Sequence, residues 1–416
     1  MMDDRVVVGI DVGTTKICTL VAKEESPGQL RILGTGIENS QGLRKGVVVD
    51  LEASSRAIMH SIEKAERESE LEISSALVSL AGYKVSSVNN RGAVGVANGI
   101  VDKYDVIRAV DSARAIPFSH DQEVVQVIQR GFNLDGQEGI KSPIDMHAYR
   151  LEVETHIITA SAASVENLRQ CVEDTGIEIS QFVLNPLAAA EEVLTETERE
   201  MGAIVCDIGG GTTDLAIFVD GNVWHTAVLP VGGNHITSDI AHGLRIPMSQ
   251  AEEVKLQHGN ALSSLTNPNQ YFHIQMIGEN EPQQVAMGDL VHIISARVEE
   301  IFSMVYQEIK RSGYDGLFPA GMVLTGGSSL LGGTSEVASK VLGLPVRIGL
   351  PGNILGMVDE LSSPAYTTSV GLLRWALLMR ELVGDPGRNG RHSLKPVQGF
   401  RFDWITVKKI FERMLP

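Results

Sequence analysis

Two short segments of the chain combine aspartate, glycine and threonine in the same order. The first runs from Asp11 to Lys16 and the second from Asp207 to Asp214, and each follows an apolar, β-branched run. Glycine lets backbone N–H groups approach an anion closely, and threonine hydroxyls add further donors. An aspartate at the end of a strand can hold Mg²⁺ through the water shell that this ion keeps. The two segments therefore predict a pair of turns that cradle the phosphates of a nucleotide.

The order of the turns predicts how they would share one ligand. Asp11 and Asp207 would lie on either side of one triphosphate with its Mg²⁺, and Lys16 would reach the β- and γ-phosphates as a point charge. The alternative is that each segment is only a tight turn in which the aspartate makes local hydrogen bonds. Two such turns, followed by the pair Gly326-Gly327 after a third apolar run, favour phosphate binding. The Walker A, dinucleotide, nucleophile-elbow and zinc-protease motifs do not occur in the sequence.

Strands and helices alternate around these turns. Each phosphate turn is followed by a second apolar run, Ile17 to Ala22 or Leu215 to Val219, so each turn is expected to join the strands of a β-hairpin. Helical periodicity extends over Leu51 to Glu70 and Val291 to Arg311. This pattern predicts an α/β protein with two similar lobes. Tyr83 to Ile158 has strand-like segments and several glycines, and predicts a small subdomain inserted into the first lobe.

Length and composition limit the class of protein. A chain of 416 residues needs two or more hydrophobic cores. Its 3 cysteines are too widely spaced for a disulfide framework or a zinc site, so we expect them to be reduced and buried. The N-terminus lacks the basic region and cleavage site of a signal peptide, and no apolar run reaches the length of about eighteen residues that spans a bilayer. The sequence therefore predicts a cytoplasmic protein.

The charge distribution separates the C-terminal tail from the rest of the chain. From Pro386 to Pro416, seven basic and two acidic residues give the tail +5, so the remainder must carry −22 to reach the overall −17. A basic tail on an acidic body indicates an anionic partner for the tail alone. The body would repel the phosphates of a nucleic acid, and we therefore expect no nucleic acid among the partners.

The end of the tail has the pattern of a membrane-surface helix. Gly384 to Gln398 is polar, with glycine and proline, and suits a flexible tether. Beyond it, bulky apolar and cationic residues recur at helical spacing over roughly 22 Å, which suits the membrane interface and is too short to cross the hydrocarbon core. The alternative is an amphipathic helix docked on the protein's own body. The residues expected to contact an anionic lipid surface are Trp404, Ile405, Val407, Lys408, Ile410, Phe411, Met414 and Leu415.

The three glycine turns together resemble those of the actin/heat-shock-70/sugar-kinase superfamily. Within it the chain resembles, essentially end to end, the FtsA family of bacterial cell-division actin homologues. Asn185 to Ala190 is similar to the helix start that connects the lobes, and Leu134 to Gln137 is similar to part of the small subdomain that this family carries and the rod-shape actin MreB lacks. The resemblance implies an actin-like fold (duplicated, ribonuclease H-like) that binds ATP and Mg²⁺. It assigns Asp11 and Asp207 to the metal and the following residues to the nucleotide: Gly13, Thr14, Thr15, Lys16, Gly209, Gly210, Gly211, Thr212, Thr213, Glu252, Lys255, Gly326, Gly327 and Ser328.

The resemblance also implies a division into domains. The first lobe comprises 1–82, 159–199 and 359–383, with the inserted subdomain at 83–158. The second lobe comprises 200–245 and 314–358, with its own small subdomain at 246–313. A flexible linker follows at 384–399, and the membrane-targeting amphipathic helix occupies 400–416.

Partners and activity follow from the same resemblance. It implies the C-terminal peptide of the tubulin-like protein FtsZ as a partner for Ile246 to Gly313, other copies of the chain in filaments, and later division proteins. Where related ATPases carry a glutamate or glutamine to position water, this chain has Asn185, so we expect ATP binding with weak ATPase activity at most. The alternatives are a PilM-like pilus-assembly adaptor and a small-molecule kinase of the superfamily, and the amphipathic tail separates the FtsA family from both.

Overall fold

The computed structural model describes residues 6–26, 28–82, 84–262, 264, 270–279, 281–314, 316–356 and 359–383. The linker predicted at 384–399 and the amphipathic helix predicted at 400–416 lie outside the described residues, so both stay predictions. Within the described part of the chain, no helix combines the length and the apolar character needed to span a membrane.

The strands of the described residues include both predicted hairpins and several further sheets. They are β1 (Val6–Val12), β2 (Lys16–Ser26), β3 (Gln29–Asn39), β4 (Leu43–Arg44), β5 (Val47–Val48), β6 (Ser75–Leu80), β7 (Ser86–Gly95), β8 (Gln122–Leu134), β9 (Gln137–Ile140), β10 (Arg150–Ser161), β11 (Glu178–Leu184), β12 (Ala203–Ile208), β13 (Thr213–Val219), β14 (Asn222–Leu229), β15 (Tyr271–Ile274), β16 (Gln283–Ala286), β17 (Met322–Thr325), β18 (Val346–Ile348) and β19 (Ile354–Leu355).

The helices alternate with these strands. They are α1 (Leu51–Ser69), α2 (Lys103–Arg114), α3 (Ala162–Glu173), α4 (Asn185–Val193), α5 (Glu196–Met201), α6 (Gly233–Leu244), α7 (Met248–His258), α8 (Met287–Arg311), α9 (Thr334–Leu342) and α10 (Thr367–Val383). The two helices predicted from periodicity are confirmed as α1 and α8, although α8 begins earlier than predicted. The Asp50 side chain caps α1 by accepting from the N–H of Ala53 over 3.1 Å, which satisfies one of the free donors at the start of a helix.

Two sheets of the same local plan form the two lobes. The first has the order β11-β6-β1-β2-β3-β19 and the second the order β14-β13-β12-β17-β18. In each, an antiparallel hairpin (β1–β2 or β12–β13) is flanked by a parallel strand (β6 or β17). The predicted α/β fold with two similar lobes is therefore confirmed. One boundary differs from the prediction: β19, placed with the second lobe in 314–358, pairs in parallel with β3 and belongs to the first sheet.

The segment between β6 and α3 forms a sheet of its own. This sheet has the order β7-β10-β8-β9, and α2 packs against it. A separate hydrophobic core lies between the helix and the sheet, and its fully buried members include Val101, Val106, Leu151 and Val153. The four strands and α2 thus make up a compact unit inserted into the first lobe.

Two helices form a middle layer between the lobes. The side chains of β12 alternate, so that Ile204 and Cys206 face the core under α6 and α8, whereas Val205 faces α4 and α10. On the other side, α10 packs on β1 and β2 of the first sheet. A β-carbon on Gly371 would overlap the backbone of Ala188, so α4 and α10 pack too closely at this point for any side chain larger than that of glycine. Both helices begin at the cleft between the lobes.

Candidate nucleotide-binding cleft

Each predicted phosphate turn is closed by one backbone hydrogen bond. The N–H of Gly13 donates to the carbonyl of Lys16 over 3.0 Å, and the N–H of Gly209 donates to the carbonyl of Thr212 over 2.9 Å. The two bonds join residues with the same spacing at equivalent places in the hairpins β1–β2 and β12–β13. Each lobe therefore presents the same turn to the cleft.

The two turns meet across the cleft. A β-carbon on Gly210 would overlap the hydroxyl of Thr15, and one on Gly211 would lie 2.6 Å from Oγ1 of Thr14. Neither glycine has a positive φ. Close approach between the lobes, and not backbone conformation, is thus the reason for glycine at both positions.

The carbonyl groups of the second turn point into the protein. The carbonyl of Gly209 accepts from the N–H of Gly233 over 2.9 Å and from the hydroxyl of Ser328 over 3.0 Å. The carbonyl of Gly210 accepts from the N–H of Asn234 over 2.8 Å. The start of α6 and the third glycine turn therefore fix the orientation of the second phosphate turn.

Four backbone N–H groups at the tips of the turns have no acceptor within the described part of the chain. They belong to Thr14, Thr15, Gly210 and Gly211, all of which line the cleft. A backbone N–H needs a partner, and successive free N–H groups in a turn form a concave site for an anion. The tips of both turns are therefore suited to phosphate oxygens.

The two aspartates of the turns are buried and held by hydroxyl groups. Asp11 accepts from Ser79 over 2.9 Å at Oδ1 and from Ser369 over 2.7 Å at Oδ2. Asp207 accepts from Thr368 over 2.6 Å at Oδ2. Both carboxylates line the cleft. The hydrogen bonds from the hydroxyl groups fix the orientation of the carboxylates toward a ligand bound there.

The two carboxyl groups of the second turn, those of Asp207 and Asp214, have raised pKa values. Burial raises the pKa of Asp207 to about 6; the hydrogen bond from Thr368 opposes the rise, the nearby charge of Asp11 adds to it, and Lys16 opposes it. Burial, followed by the charge of Asp207, raises the pKa of Asp214 well above its usual range. Burial without a fully compensating cation therefore favours the protonated form of both carboxyl groups.

These residues fit a hydrated Mg²⁺ ion. Oδ1 of Asp214 is buried and has no hydrogen-bond partner among the described residues, and Asp214 lines the cleft with Asp11 and Asp207. The described residues hold no group of three or more histidines, cysteines, aspartates or glutamates close enough to ligate a metal directly. Mg²⁺ keeps much of its water shell, so carboxylates around a cleft can hold it through water. Bound there, the ion would offset the negative charges of the carboxylates and of the phosphate oxygens.

Lys16 extends from the first turn toward the start of α10. Its ammonium group donates to the carbonyl of Ala365 and lies 3.4 Å from the centre of the Tyr366 ring. Burial lowers its pKa, and the charge of Asp11 opposes this effect. The predicted contact with the β- and γ-phosphates requires the ammonium group to exchange or share these partners.

A polar cluster lies at the other end of the cleft, on α6 and α7. The ammonium group of Lys255 donates to Oε2 of Glu252 over 2.7 Å and to Oγ1 of Thr237 over 2.8 Å. The hydroxyl of Thr237 donates to the same carboxylate over 2.5 Å. The cluster offers both donors and acceptors, which suits the hydroxyl groups of a ribose.

Exposed apolar side chains form the outer wall beside this cluster. Met248, Leu256 and Leu330 are 50%, 74% and 60% exposed, respectively, and all three line the cleft. The cleft has a volume of about 820 Å³, within the usual range of about 300–1,000 Å³ for small-molecule sites. Apolar walls at one end and free N–H groups at the other suit an aromatic base joined to phosphates.

The structure brings nearly all the predicted site residues into this one cleft. Its lining includes Asp11, Gly13, Thr14, Thr15, Lys16, Asp207, Gly209, Gly210, Gly211, Thr212, Glu252, Lys255, Gly326, Gly327 and Ser328. Their contacts with a nucleotide stay predictions. Thr213 is not part of this lining: its hydroxyl is fully buried and donates to the carbonyl of Val231 over 2.8 Å, so its contact with a nucleotide has no support from the structure and stays a prediction. The cleft also includes Asp214, Thr237 and Thr368, which the sequence interpretation did not select.

The start of α4 supplies an amide to the cleft. Asn185 lines it, and Oδ1 of this residue is buried with no hydrogen-bond partner in the described part of the chain. The two glutamates further along α4 make ion pairs elsewhere, Glu191 with Arg199 and Glu192 with Arg374. At this end of α4 the cleft is therefore lined by an amide, which is a much weaker base than a carboxylate.

Two family profiles match the sequence. The profile described as cell division protein FtsA matches residues 204–371. The profile described as SHS2 domain inserted in FTSA matches residues 82–159, which span the inserted sheet β7-β10-β8-β9.

Known proteins resemble the chain over most of its length. Cell division protein FtsA of Pseudomonas aeruginosa is 38% identical over 373 residues, which cover 90% of this chain and 89% of the relative. Cell division protein FtsA of Escherichia coli is 35% identical over 380 residues and 90% of each chain. Among solved structures, the PilM–PilN type IV pilus biogenesis complex matches with a TM-score of 0.63 at 15% identity, covering 88% of this chain and 97% of the other. MreB5 of Spiroplasma citri bound to ADP matches with a TM-score of 0.55 at 16% identity, covering 90% and 98%. At these identities the two structures are similar in fold alone.

Proposed function

The chain belongs to the FtsA family of cell-division proteins, and from this premise we propose that it is an ATP-binding adaptor of the division ring. In this proposal it binds ATP and Mg²⁺ in the cleft, polymerises, and tethers FtsZ to the cytoplasmic face of the plasma membrane. The observation that carries ATP binding is the pair of equivalent turns whose four free N–H groups face one cleft. MreB5, which has a similar fold, is bound to ADP.

The proposed ligand matches the chemistry along the cleft. Phosphates would occupy the tips of the two turns, with Mg²⁺ held through water by Asp11 and Asp207. The ribose would lie at Glu252 and Lys255, and the adenine would lie against the exposed apolar wall. Hydrolysis would be slow, because the amide of Asn185 is a poor base for activating water. A residue that orients the attacking water can change the rate of phosphoryl transfer by orders of magnitude.

The sequence after Gln398 supports membrane binding. Six large apolar side chains fall on one face of such a helix, namely Trp404, Val407, Ile410, Phe411, Met414 and Leu415. At about 1.5–3 kcal/mol each when fully buried, they give a gross gain on the order of 10 kcal/mol. Each lysine or arginine near an anionic surface adds about 1 kcal/mol. Ordering the helix costs about 1–2 kcal/mol per residue, which offsets much or all of this gain. One tail would therefore bind reversibly, and several tails on one filament would bind far more firmly through effective concentration.

The proposed protein partners follow from family membership. The C-terminal peptide of FtsZ would dock on the small subdomain at 246–313, and other copies of the chain would polymerise end to end. Later division proteins would then join this assembly at the membrane. The pilus-assembly alternative has support from fold likeness alone, whereas division proteins match at 35–38% identity over most of both chains.

Sedimentation with anionic liposomes tests the membrane part of the proposal. The full chain is compared with a chain that ends at Gln398 and with Trp404→Glu, each with and without ATP and Mg²⁺. We expect the full chain to pellet with the vesicles and both variants to stay in the supernatant. Both variants should still bind ATP, because the cleft is formed by residues before the tail.

Either part of the proposal can fail separately. Full vesicle binding by both variants would refute the tail as the membrane anchor and favour its docking on the protein's own body. If the full chain gains no thermal stability from ATP and Mg²⁺, ATP binding is refuted.

A peptide of the FtsZ C-terminus should bind the full chain and the truncated chain equally, because the proposed docking site at 246–313 lies before the tail.

A further inference from the structure

The first residues of α10 contact both metal-site carboxylates. We call Pro364 to Ser369 the α10 lead-in. In this segment Thr368 donates to Asp207 over 2.6 Å, and the next residue, Ser369, donates to Asp11 over 2.7 Å. Consecutive residues of a helix point about 100° apart, so one helix start can reach a carboxylate on each lobe.

The lead-in is also fixed to the third glycine turn. Oγ1 of Thr367 and Oγ1 of Thr325 are 2.7 Å apart, and the N–H of Gly326 donates to the carbonyl of Pro364 over 3.1 Å. These contacts anchor the segment independently of the two carboxylates. The position of Thr368 and Ser369 is thus set by the surrounding fold, as a positioning role requires.

The geometry at Asp207 leaves one oxygen for a ligand. Thr368 occupies Oδ2, and no described residue donates to Oδ1. The hydroxyl of Thr368 lies in a side chain that is only 5% exposed, so water has little access to replace this bond. Hydrogen bonds to a buried carboxylate are stronger than those between neutral groups. The Thr368 hydroxyl therefore restricts rotation of the carboxylate.

From these contacts we infer that Thr368 and Ser369 are positioning residues for the divalent cation of the nucleotide site. Each hydroxyl holds one carboxylate, Asp207 or Asp11, in the orientation in which its oxygens accept from the water shell of Mg²⁺. The inference rests on the proposed binding of ATP with Mg²⁺. It assigns a metal-dependent role to a segment that contains neither a charged residue nor a glycine.

The test measures how much Mg²⁺ strengthens ATP binding. Dissociation constants of a fluorescent ATP analogue are measured for the full chain in Mg²⁺ and in EDTA, and their ratio is compared between variants. Thr368→Val removes the hydroxyl at nearly constant shape, and Thr368→Ser restores it. Thr155→Val is the matched control, because Thr155 is also fully buried but lies on β10 of the inserted sheet, where its hydroxyl donates to the carbonyl of Asn90 over 3.1 Å.

We expect Thr368→Val to lower the Mg²⁺-dependent ratio about tenfold, which corresponds to about 1.4 kcal/mol. Affinity in EDTA should change little, and Thr368→Ser and Thr155→Val should keep the wild-type ratio. Ser369→Ala should lower the ratio by less than Thr368→Val, because Ser79 still donates to Asp11; this second variant keeps the inference testable if Thr368→Val fails to fold.

Three results would overturn the inference. A wild-type ratio in Thr368→Val and Ser369→Ala would overturn the inference and leave ATP binding intact. An equal loss in Thr155→Val would show a role in folding only, and would also overturn it. If the wild-type chain binds the analogue in neither buffer, the proposed function fails and this inference fails with it.

Discussion

The hydroxyl of Thr15 occupies the space that a β-carbon on Gly210 would need. The two residues belong to different lobes, and their contact sets how closely the phosphate turns approach. A larger side chain at Gly210 must either displace Thr15 or hold the lobes apart. Either change would move the free N–H groups away from a shared phosphate.

The first prediction concerns this contact. Gly210→Val should abolish the stabilisation of the protein by ATP and Mg²⁺. A ligand at about 100 times its Kd stabilises a protein by about 2.7 kcal/mol, and we expect the variant to gain close to none of this. The measurement is urea unfolding with and without ligand. Gly131→Val is the control, because no atom lies within 4 Å of a β-carbon there, and full ligand stabilisation in Gly210→Val would contradict the prediction.

The local pattern of the second turn was enough to identify most of the residues with which it lines the cleft. Strand, aspartate and glycine follow one another in the chain, so Asp207 and the glycines could be selected from the sequence. Whether Thr212 or Thr213 faces the cleft depends on the alternation of side chains along β13 after the turn. The alternation sends Thr213 toward Val231 and Asp214 into the cleft, and the sequence did not show where β13 begins.

Contacts between distant parts of the chain could not be predicted. Thr368 meets Asp207 and Ser369 meets Asp11 only because α10 packs between the two sheets. A run of three hydroxyl residues after Pro364 was a visible signal, but it is equally typical of a plain helix start. In the same way, β19 joins the first sheet through two pairs with β3 that no sequence period indicates.

The second prediction concerns a buried ion pair that joins α4 to α10. Arg374 donates to Oε2 of Glu192 over 2.8 Å, and the N–H of Gly352 donates to Oε1 over 2.6 Å. Burial raises the pKa of Glu192, while the charge of Arg374 opposes the rise. Removing one partner of a buried pair typically costs about 3–5 kcal/mol. We expect a loss of this order for Arg374→Met in urea unfolding at neutral pH.

A double variant separates the stranded charge from the other lost contacts. Glu192→Gln keeps an acceptor for Gly352 and removes the charge, so Glu192→Gln with Arg374→Met should be more stable than Arg374→Met alone. Both variants lose the hydrogen bonds of Arg374 to backbone carbonyls, which therefore cancel in the comparison. A double variant that is less stable than Arg374→Met would contradict the prediction.

The third prediction concerns a link between the inserted sheet and the end of α8. The Arg130 guanidinium of β8 lies 4.5 Å from the ring centre of Trp224 on β14. The indole N–H of Trp224 donates to the carbonyl of Ser312 over 3.0 Å. Cation–π pairs contribute about 0.5–1 kcal/mol when exposed and about 2 kcal/mol when desolvated. The partial burial of Arg130 places this pair between those limits.

A double-mutant cycle measures the link. Trp224→Leu and Arg130→Met should show a coupling free energy of about 1 kcal/mol in urea unfolding. The exposed Arg108 of the same subdomain pairs with Asp105, so Arg108→Met should show no coupling to Trp224→Leu. Additive effects of Trp224→Leu and Arg130→Met would show that the stacking contributes nothing.

The last prediction concerns a histidine buried between the inserted sheet and the second lobe. His156 is 1% exposed. Its Nδ1 lies 2.7 Å from Oδ1 of Asn89, and its Nε2 lies 3.0 Å from Oγ1 of Thr226. A neutral ring that donates from Nδ1 and accepts at Nε2 satisfies both partners. Burial, followed by the nearby charges of His225 and Arg130, lowers the pKa of His156 to about 3.

This lowered pKa makes stability depend on pH in one direction. Below an unfolded-state pKa of about 6.5 the unfolded chain takes up a proton that folded His156 excludes, so its contribution is full above that pH and is lost as pH falls toward 3. The loss is about 1.4 kcal/mol per pH unit. His156→Gln keeps one donor and one acceptor without a titrating group, so its free energy of unfolding should fall less steeply between pH 6.5 and 5 than that of the wild type. Parallel pH profiles in urea would show that His156 becomes protonated in the folded state, because every other titrating group is common to both chains.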